Sequence, residues 1–318
     1  MTATTITAPR RRRLPQWPRA HSAGERLGRI GAVILGLFVV VAVFAPVLAP
    51  YDPKAQVGLP YQSPSGSHLL GTNDIGQDIL SELIYGARVS LAIGFLAALL
   101  AIVVGTLVGV VSGYFGGLVD TLLMRFVDIT LALPFLPLLI VLAVFLGRNI
   151  RTTVLVISVV IWARPARILR SQVLSARERG FVQAARAMGG RPAHLLRRHV
   201  LPAVSPLIIA QFVRAANIAI LLEASLSFLG LGDVTAKSWG TTLYYASARG
   251  AFLTRAWLWW VLPTGLAISV VVVAFAFIGY SLEERADPRL RARRLPTLAQ
   301  FGGAPTLAMT PIPGKVLP

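Results

Sequence analysis

The strongest constraint on this chain is a series of apolar stretches, each near 20 residues, separated by short basic segments. A helix rises about 1.5 Å per residue, so about 20 apolar residues cross a hydrocarbon core of about 30 Å with every backbone group paired internally. Four stretches are clear: Ile30 to Ala49, Ser90 to Tyr114, Val127 to Gly147 and Trp259 to Tyr280. Two are weaker. Thr152 to Ile168 is short and interrupted by Arg164 and Pro165, and Ala203 to Leu222 carries Arg214 and Asn217 in its interior. Hydropathy alone leaves the number of spans between four and six. The mean hydropathy of +0.69 and a charged fraction of only 14% place the whole chain outside soluble-protein usage.

Charge placement decides the number, because Lys and Arg gather on the cytoplasmic side of short loops. Six spans with both termini inside put seven basic residues before the first span, Arg125 after the second, nine from Arg164 to Arg198, and six after the last. The outer segments hold only Lys54, Arg88, Arg148, Arg151, Lys237, Arg249 and Arg255. Dropping either weak span would turn a strongly basic segment outward. The chain is therefore expected to be an all-α polytopic inner-membrane (plasma-membrane) protein of six transmembrane helices. It divides into a basic cytoplasmic tail over 1–29, a membrane domain over 30–282 and a cytoplasmic tail over 283–318. Within the membrane domain lie an external loop over 50–89 and a cytoplasmic loop over 164–202.

The formal charge of +18 does not indicate nucleic acid, since the basic residues are dispersed between apolar runs rather than gathered on one face. The Arg run from Arg10 to Arg13 suits contact with anionic lipid. There is no cysteine, and His21, His68, His194 and His199 lack metal-ligand spacing, so a metal site or an intramembrane enzyme has no residue set to build on. Gly314 and Lys315 lack the surrounding glycine spacing and Ser or Thr of a phosphate-binding loop. Any ATP and Mg must therefore sit on other chains.

Smaller features carry local expectations. Ile75, Ile79, Leu83 and Ile84 fall on one helical face, which predicts an amphipathic helix lying on the outer membrane surface. Asp128 lies three residues after Arg125 and reads as its ion-pair partner. Trp257, Trp259 and Trp260 read as an interfacial aromatic belt. In the cytoplasmic loop, Phe181 to Met188 has helical composition with Gly189 and Gly190 as a stop, and Pro192 suits the start of a second short helix. Two short helices at a sharp angle would present small side chains to a cytoplasmic partner.

FVQAARAMGG followed by RRHVLP resembles the cytoplasmic "EAA" loop of ABC-importer permeases. HLLGTNDIGQDILSELIYGARVSL, DTLLMRFVDITLALP, EASLSFLGLG and ADPRLR are similar to the dipeptide/oligopeptide/nickel group of these permeases, and within it to the C-type subunit. The resemblance implies the type I, MetI-like permease fold and a subunit that forms half of a pore for di- or oligopeptides. Its implied partners are a second homologous permease, two ATP-binding subunits and an extracytoplasmic substrate-binding protein. It further implies that Gln183, Ala184, Ala185, Arg186 and Gly189 form the helix that couples to the ATPase, with Gln183 standing where the family carries Glu. Arg214 and Asn217 are read either as part of the translocation path or as hydrogen-bonding groups toward the partner permease. Glu223 is read as an outer-side structural group near the gate. The same machinery importing nickel or another small solute is the alternative, followed by a secondary transporter, for which no internal repeat is visible.

Overall fold

The computed structural model describes residues 23–286, so the expectations for the Arg10 to Arg13 run and for the C-terminal tail beyond Ala286 lie outside the described residues. The chain is helical, and among the described residues the single isolated β-bridge joins Thr72 to Asp78. Helix α1 covers Ala23–Val43, followed by the single turn α2, Ala45–Leu48. Helix α3 covers Ile79–Phe115, α4 Gly117–Ala132, α5 Phe135–Leu146, α6 Ile150–Ile161 and α7 Ala163–Arg177. Helix α8 covers Gly180–Ala187, α9 Pro192–Leu195, α10 Leu201–Phe228, α11 Trp239–Ala248 and α12 Val261–Ala286. Four helical stretches are long and apolar enough to cross a bilayer alone, and the bent pairs α4–α5 and α6–α7 bring the number to six when each is one span.

The breaks have local causes. Leu133 precedes Pro134, is forced into extended backbone at ψ 136, and α5 leaves at 90° to α4. Between α6 and α7 the bend is 44°, and Pro165 in the next turn cannot donate to the Ile161 carbonyl. Pro202 causes no break. The turn before it, Leu196–Val200, is a π-helix in which Leu201 N–H bonds the Leu196 carbonyl, and the wider turn makes room for the proline ring. The second short helix expected from Pro192 is therefore the first part of a continuous helical stretch, Pro192–Phe228.

Helix α3 is the centre of the bundle and makes its most extensive contact with α7. Gly105, Gly109 and Gly113, one helical turn apart, allow this approach. A Cβ on each would lie 2.9 Å from the Trp162 carbonyl oxygen, 2.6 Å from that of Ala166 and 2.9 Å from that of Arg170. Asp120 of α4 holds Arg170 of α7 through two bonds of 2.5 Å. Asp128 pairs with Arg167, one turn earlier on α7, and not with Arg125 as its spacing suggested. Helix packing across the bundle thus overrides the i, i+3 neighbour.

At its N-terminal end, α3 begins before the expected span. Asp78 caps it by accepting from Ser81 N–H at 2.8 Å. Ile79 is fully buried while Ile75 is exposed, so the anticipated surface helix is instead the opening of α3. The loop before it is fastened by buried polar groups. His68 Nδ1 lies 3.0 Å from Asp78 Oδ1, Asn73 donates to Glu82 at 3.0 Å, and Lys237 reaches Glu82 at 2.5 Å and Gln77 at 2.6 Å. Trp260 is completely buried against Ile79, Ala246 and Ala256, and belongs to this core rather than to an interfacial belt. Trp257 is exposed.

Gly109→Val is expected to lower the thermal midpoint of the purified protein, at a cost of about 1–3 kcal/mol, the scale of an overpacked core. Gly36→Val, where nothing lies within 4 Å of the added carbon, should leave it unchanged. Thermal unfolding followed by size-exclusion chromatography compares the two, and equal midpoints would remove the close α3–α7 contact.

Candidate functional site

Two regions gather the functional candidates. The first is α8, at the end of α3 that carries Tyr114. Val182 anchors this helix and is fully buried, while Phe181, Gln183, Ala184, Arg186 and Met188 are exposed. Ala185 turns inward to pack on the cluster of Val110, Tyr114, Val173, Leu195, Val200 and Val204. The helix ends in a Schellman motif. Gly190 N–H bonds the Ala185 carbonyl at 3.1 Å, and Gly189 N–H bonds that of Arg186 at 3.0 Å. Gly189 supplies the left-handed residue this ending requires, at φ +82.

The helix is also tied to its neighbours through charge. The Arg186 guanidinium lies 5.7 Å from the centre of the Tyr114 ring, within cation–π range. Arg177 donates to the Tyr114 carbonyl at 3.1 Å. Gln183 donates to Glu178 at 3.0 Å, so the amide at this position is occupied by its own chain. An exposed helical face of Phe181, Gln183, Ala184, Arg186 and Met188 with a fixed exit geometry remains.

The second region is a cavity of about 310 Å³ between α4, α5, α6, α7 and α10. Leu131, Leu133, Phe135, Ile218 and Leu222 supply apolar surface, and Thr130, Arg164, Gln211 and Arg214 supply polar groups. On α10 the spacing of Gln211, Arg214, Ala215, Ile218 and Leu222 is one helical stripe. Arg214 Nη1 lies 3.3 Å from Glu283 Oε1 at the end of α12, with both side chains about half exposed. Arg164 follows directly on the α6–α7 bend.

The three residues of α10 named from sequence therefore separate. Arg214 lines the cavity. Asn217, one turn on, does not, and its side-chain oxygen is buried without a hydrogen-bond partner. Glu223 is fully buried elsewhere, accepting from Ser90 of α3 at 2.9 Å and from Ser227 at 2.9 Å. Ser90 in turn accepts from the Trp239 backbone at 3.1 Å, so this carboxylate ties α3, α10 and α11 together. Gln211 was not singled out from the sequence, although it stands three residues before Arg214 on the same stripe. That spacing was the available signal.

Comparison with known proteins gives consistent matches. Residues 101–292 match the family described as "Binding-protein-dependent transport system inner membrane component". Residues 25–65 match "N-terminal TM domain of oligopeptide transport permease C". The dipeptide transport system permease protein DppC of Alkalihalophilus pseudofirmus is 36% identical, over 84% of this chain and 88% of its own. The protein of the same name from Bacillus subtilis is 34% identical, over 87% and 88%. A chain of the inward-facing MetNI methionine ABC transporter overlays with a TM-score of 0.47 at 22% identity, covering 67% of this chain and 97% of that one.

Glu223→Ala would leave the Ser90 and Ser227 hydroxyls without their acceptor, at about 1–3 kcal/mol for each buried group left unpaired. The thermal midpoint is expected to fall, and Glu223→Gln, which keeps an acceptor oxygen, should fall less. An unchanged midpoint in Glu223→Ala would remove the tying role.

Proposed function

Since the chain belongs to the family of binding-protein-dependent transport system inner membrane components, we propose that it forms half of the pore of an ATP-driven importer of short peptides. The other half of the pore is a second permease of related sequence. Two ATP-binding subunits hold ATP and Mg on the cytoplasmic side, and an extracytoplasmic binding protein delivers the solute. Both termini are cytoplasmic, an orientation supported by the distribution of basic residues between inner and outer segments.

The observation that carries this reading is α8, an exposed helix that ends in a defined turn and is linked to the end of α3 through Arg186 and Tyr114. Gln183, Ala184, Arg186 and Gly189 form the surface offered to an ATPase, with Ala185 seated on the bundle behind them. When the ATPases close, the helix is displaced as a rigid body. The displacement reaches α3 through Tyr114 and α10 through the continuous helix from Pro192 to Phe228. The peptide substrate is suggested by the relatives' names. The two guanidinium groups lining the cavity agree with it, because they repel a bare divalent cation.

The reading is tested with the four-subunit complex and its binding protein in proteoliposomes, following uptake of a labelled tripeptide. Uptake is expected to require ATP hydrolysis and to ignore an imposed ion gradient; the reverse result would overturn the proposal. Gly189→Val imposes a strained φ on the end of α8 without filling occupied space. Uptake per ATP hydrolysed should then drop roughly tenfold, the factor of a coupling free energy of about 1.4 kcal/mol. Unchanged uptake would remove α8 as the coupling element.

A further inference from the structure

The cavity beside α10 has features that topology alone does not explain. Positive residues in inner loops follow from the positive-inside rule, but Arg164, Gln211 and Arg214 converge on one cavity from two different helices. Gln211 is only 5% exposed, and it lines the cavity. An amide at the wall of a cavity inside a membrane bundle is placed to bond a group that enters from outside the chain. Arg164 has no carboxylate partner among the described residues. The one hydrogen bond of Arg214, to Glu283 at 3.3 Å, leaves most of its guanidinium donors unused.

The chemistry of these groups is specific. Guanidinium ions match the planar, two-oxygen geometry of a carboxylate, and ionisable groups held inside a membrane bundle face a solute path. Gln211 offers both a donor and an acceptor, the complement of a peptide unit. Leu131, Phe135, Ile218 and Leu222 supply apolar surface for side chains, and about 310 Å³ lies within the usual range of small-molecule sites.

We propose that this cavity binds the C-terminal carboxylate of a peptide in transit, with Arg164 and Arg214 taking the carboxylate and Gln211 bonding the adjoining peptide unit. Glu283 is the intramolecular substitute for that carboxylate. It holds Arg214 when the cavity is empty and is displaced when the solute arrives, so departure of the solute re-forms the Arg214–Glu283 pair. The inference rests on the permease reading above, and it adds the part of the solute that the chain recognises.

The test uses the transporter complex in nanodiscs without the binding protein, probed by saturation-transfer NMR with trialanine and with trialanine amide. The free acid is expected to bind roughly tenfold more tightly than the amide, the scale of one hydrogen bond to a charged group. Arg164→Gln combined with Arg214→Gln should bring the two affinities together, while Gln211→Leu should weaken both probes alike. Equal binding of the probes to the unaltered complex overturns the proposal without any variant, and so does a preference for the acid that survives in the double variant. Co-purification of the ATPases with the variants checks that they assemble. Nanodiscs of phosphatidylcholine are then compared with ones containing phosphatidylglycerol: displacement of trialanine by the anionic lipid would assign the arginines to a headgroup and also overturn the proposal. ATP-dependent trialanine uptake by proteoliposomes with the binding protein separates the two readings. Uptake without discrimination between acid and amide in the nanodiscs removes only the carboxylate site, whereas absence of uptake removes the permease reading.

Discussion

The backbone contact between α3 and α7 is what the rest of the bundle depends on. Lipid tails are as apolar as the helices, so the hydrophobic effect that assembles soluble cores does little to draw spans together. Close contact must come from small residues and polar bonds. Gly105, Gly109 and Gly113 give α3 a flat face on which the α7 carbonyls rest. Asp120 and Asp128 then hold α4 to α7 through Arg170 and Arg167. Gly28 and Gly31 serve the α1–α12 pair in the same way, facing Ser281 and the Ala274 carbonyl.

With α7 fixed, the irregular backbone finds its place. Leu133 and Phe135 flank the α4–α5 break, Ile161 and Arg164 flank the α6–α7 bend, and all four line the same cavity. Non-helical backbone at membrane depth is tolerated where protein covers it, and the α6–α7 bend, with Trp162, Ala163 and Pro165 buried, meets that condition. Helix α10 completes the wall and continues back to the turn beside α8. One uninterrupted element therefore connects the turn beside α8, the cavity stripe and the buried Glu223.

Much of this was legible in the sequence. Six spans followed from hydropathy and arginine placement, and α8 with its Gly189 ending followed from the Ala-rich run and the glycine pair. The misses arose where tertiary contact outweighed local pattern. Asp128 had a neighbour at i−3 but found Arg167 across the bundle. Ile79 shares a face with Ile75, yet the Asp78 cap fuses it to the following span. The start signal at Pro192 was read correctly, but the helix it opens is not short: it runs on past Pro202 through the π turn before it. Asn217 and Arg214 are close on a helical wheel, and their separation depends on how α10 is rotated against its neighbours. One chain's hydropathy pattern does not record that rotation.

The shortness of α5 bears on how the protein reaches its membrane. Its 12 residues reach about 18 Å, well under the roughly 30 Å of hydrocarbon, and α6 has the same length. Neither can stay in lipid as a lone rod emerging from the insertion machinery. Each needs its bent companion, and α7 needs the glycine face of α3 already in place. Synthesis from the N-terminus provides that order, because α3 is complete before the broken segments leave the ribosome. A delay in seating α3 would therefore leave four later helices without a template, exposed to membrane quality-control proteolysis.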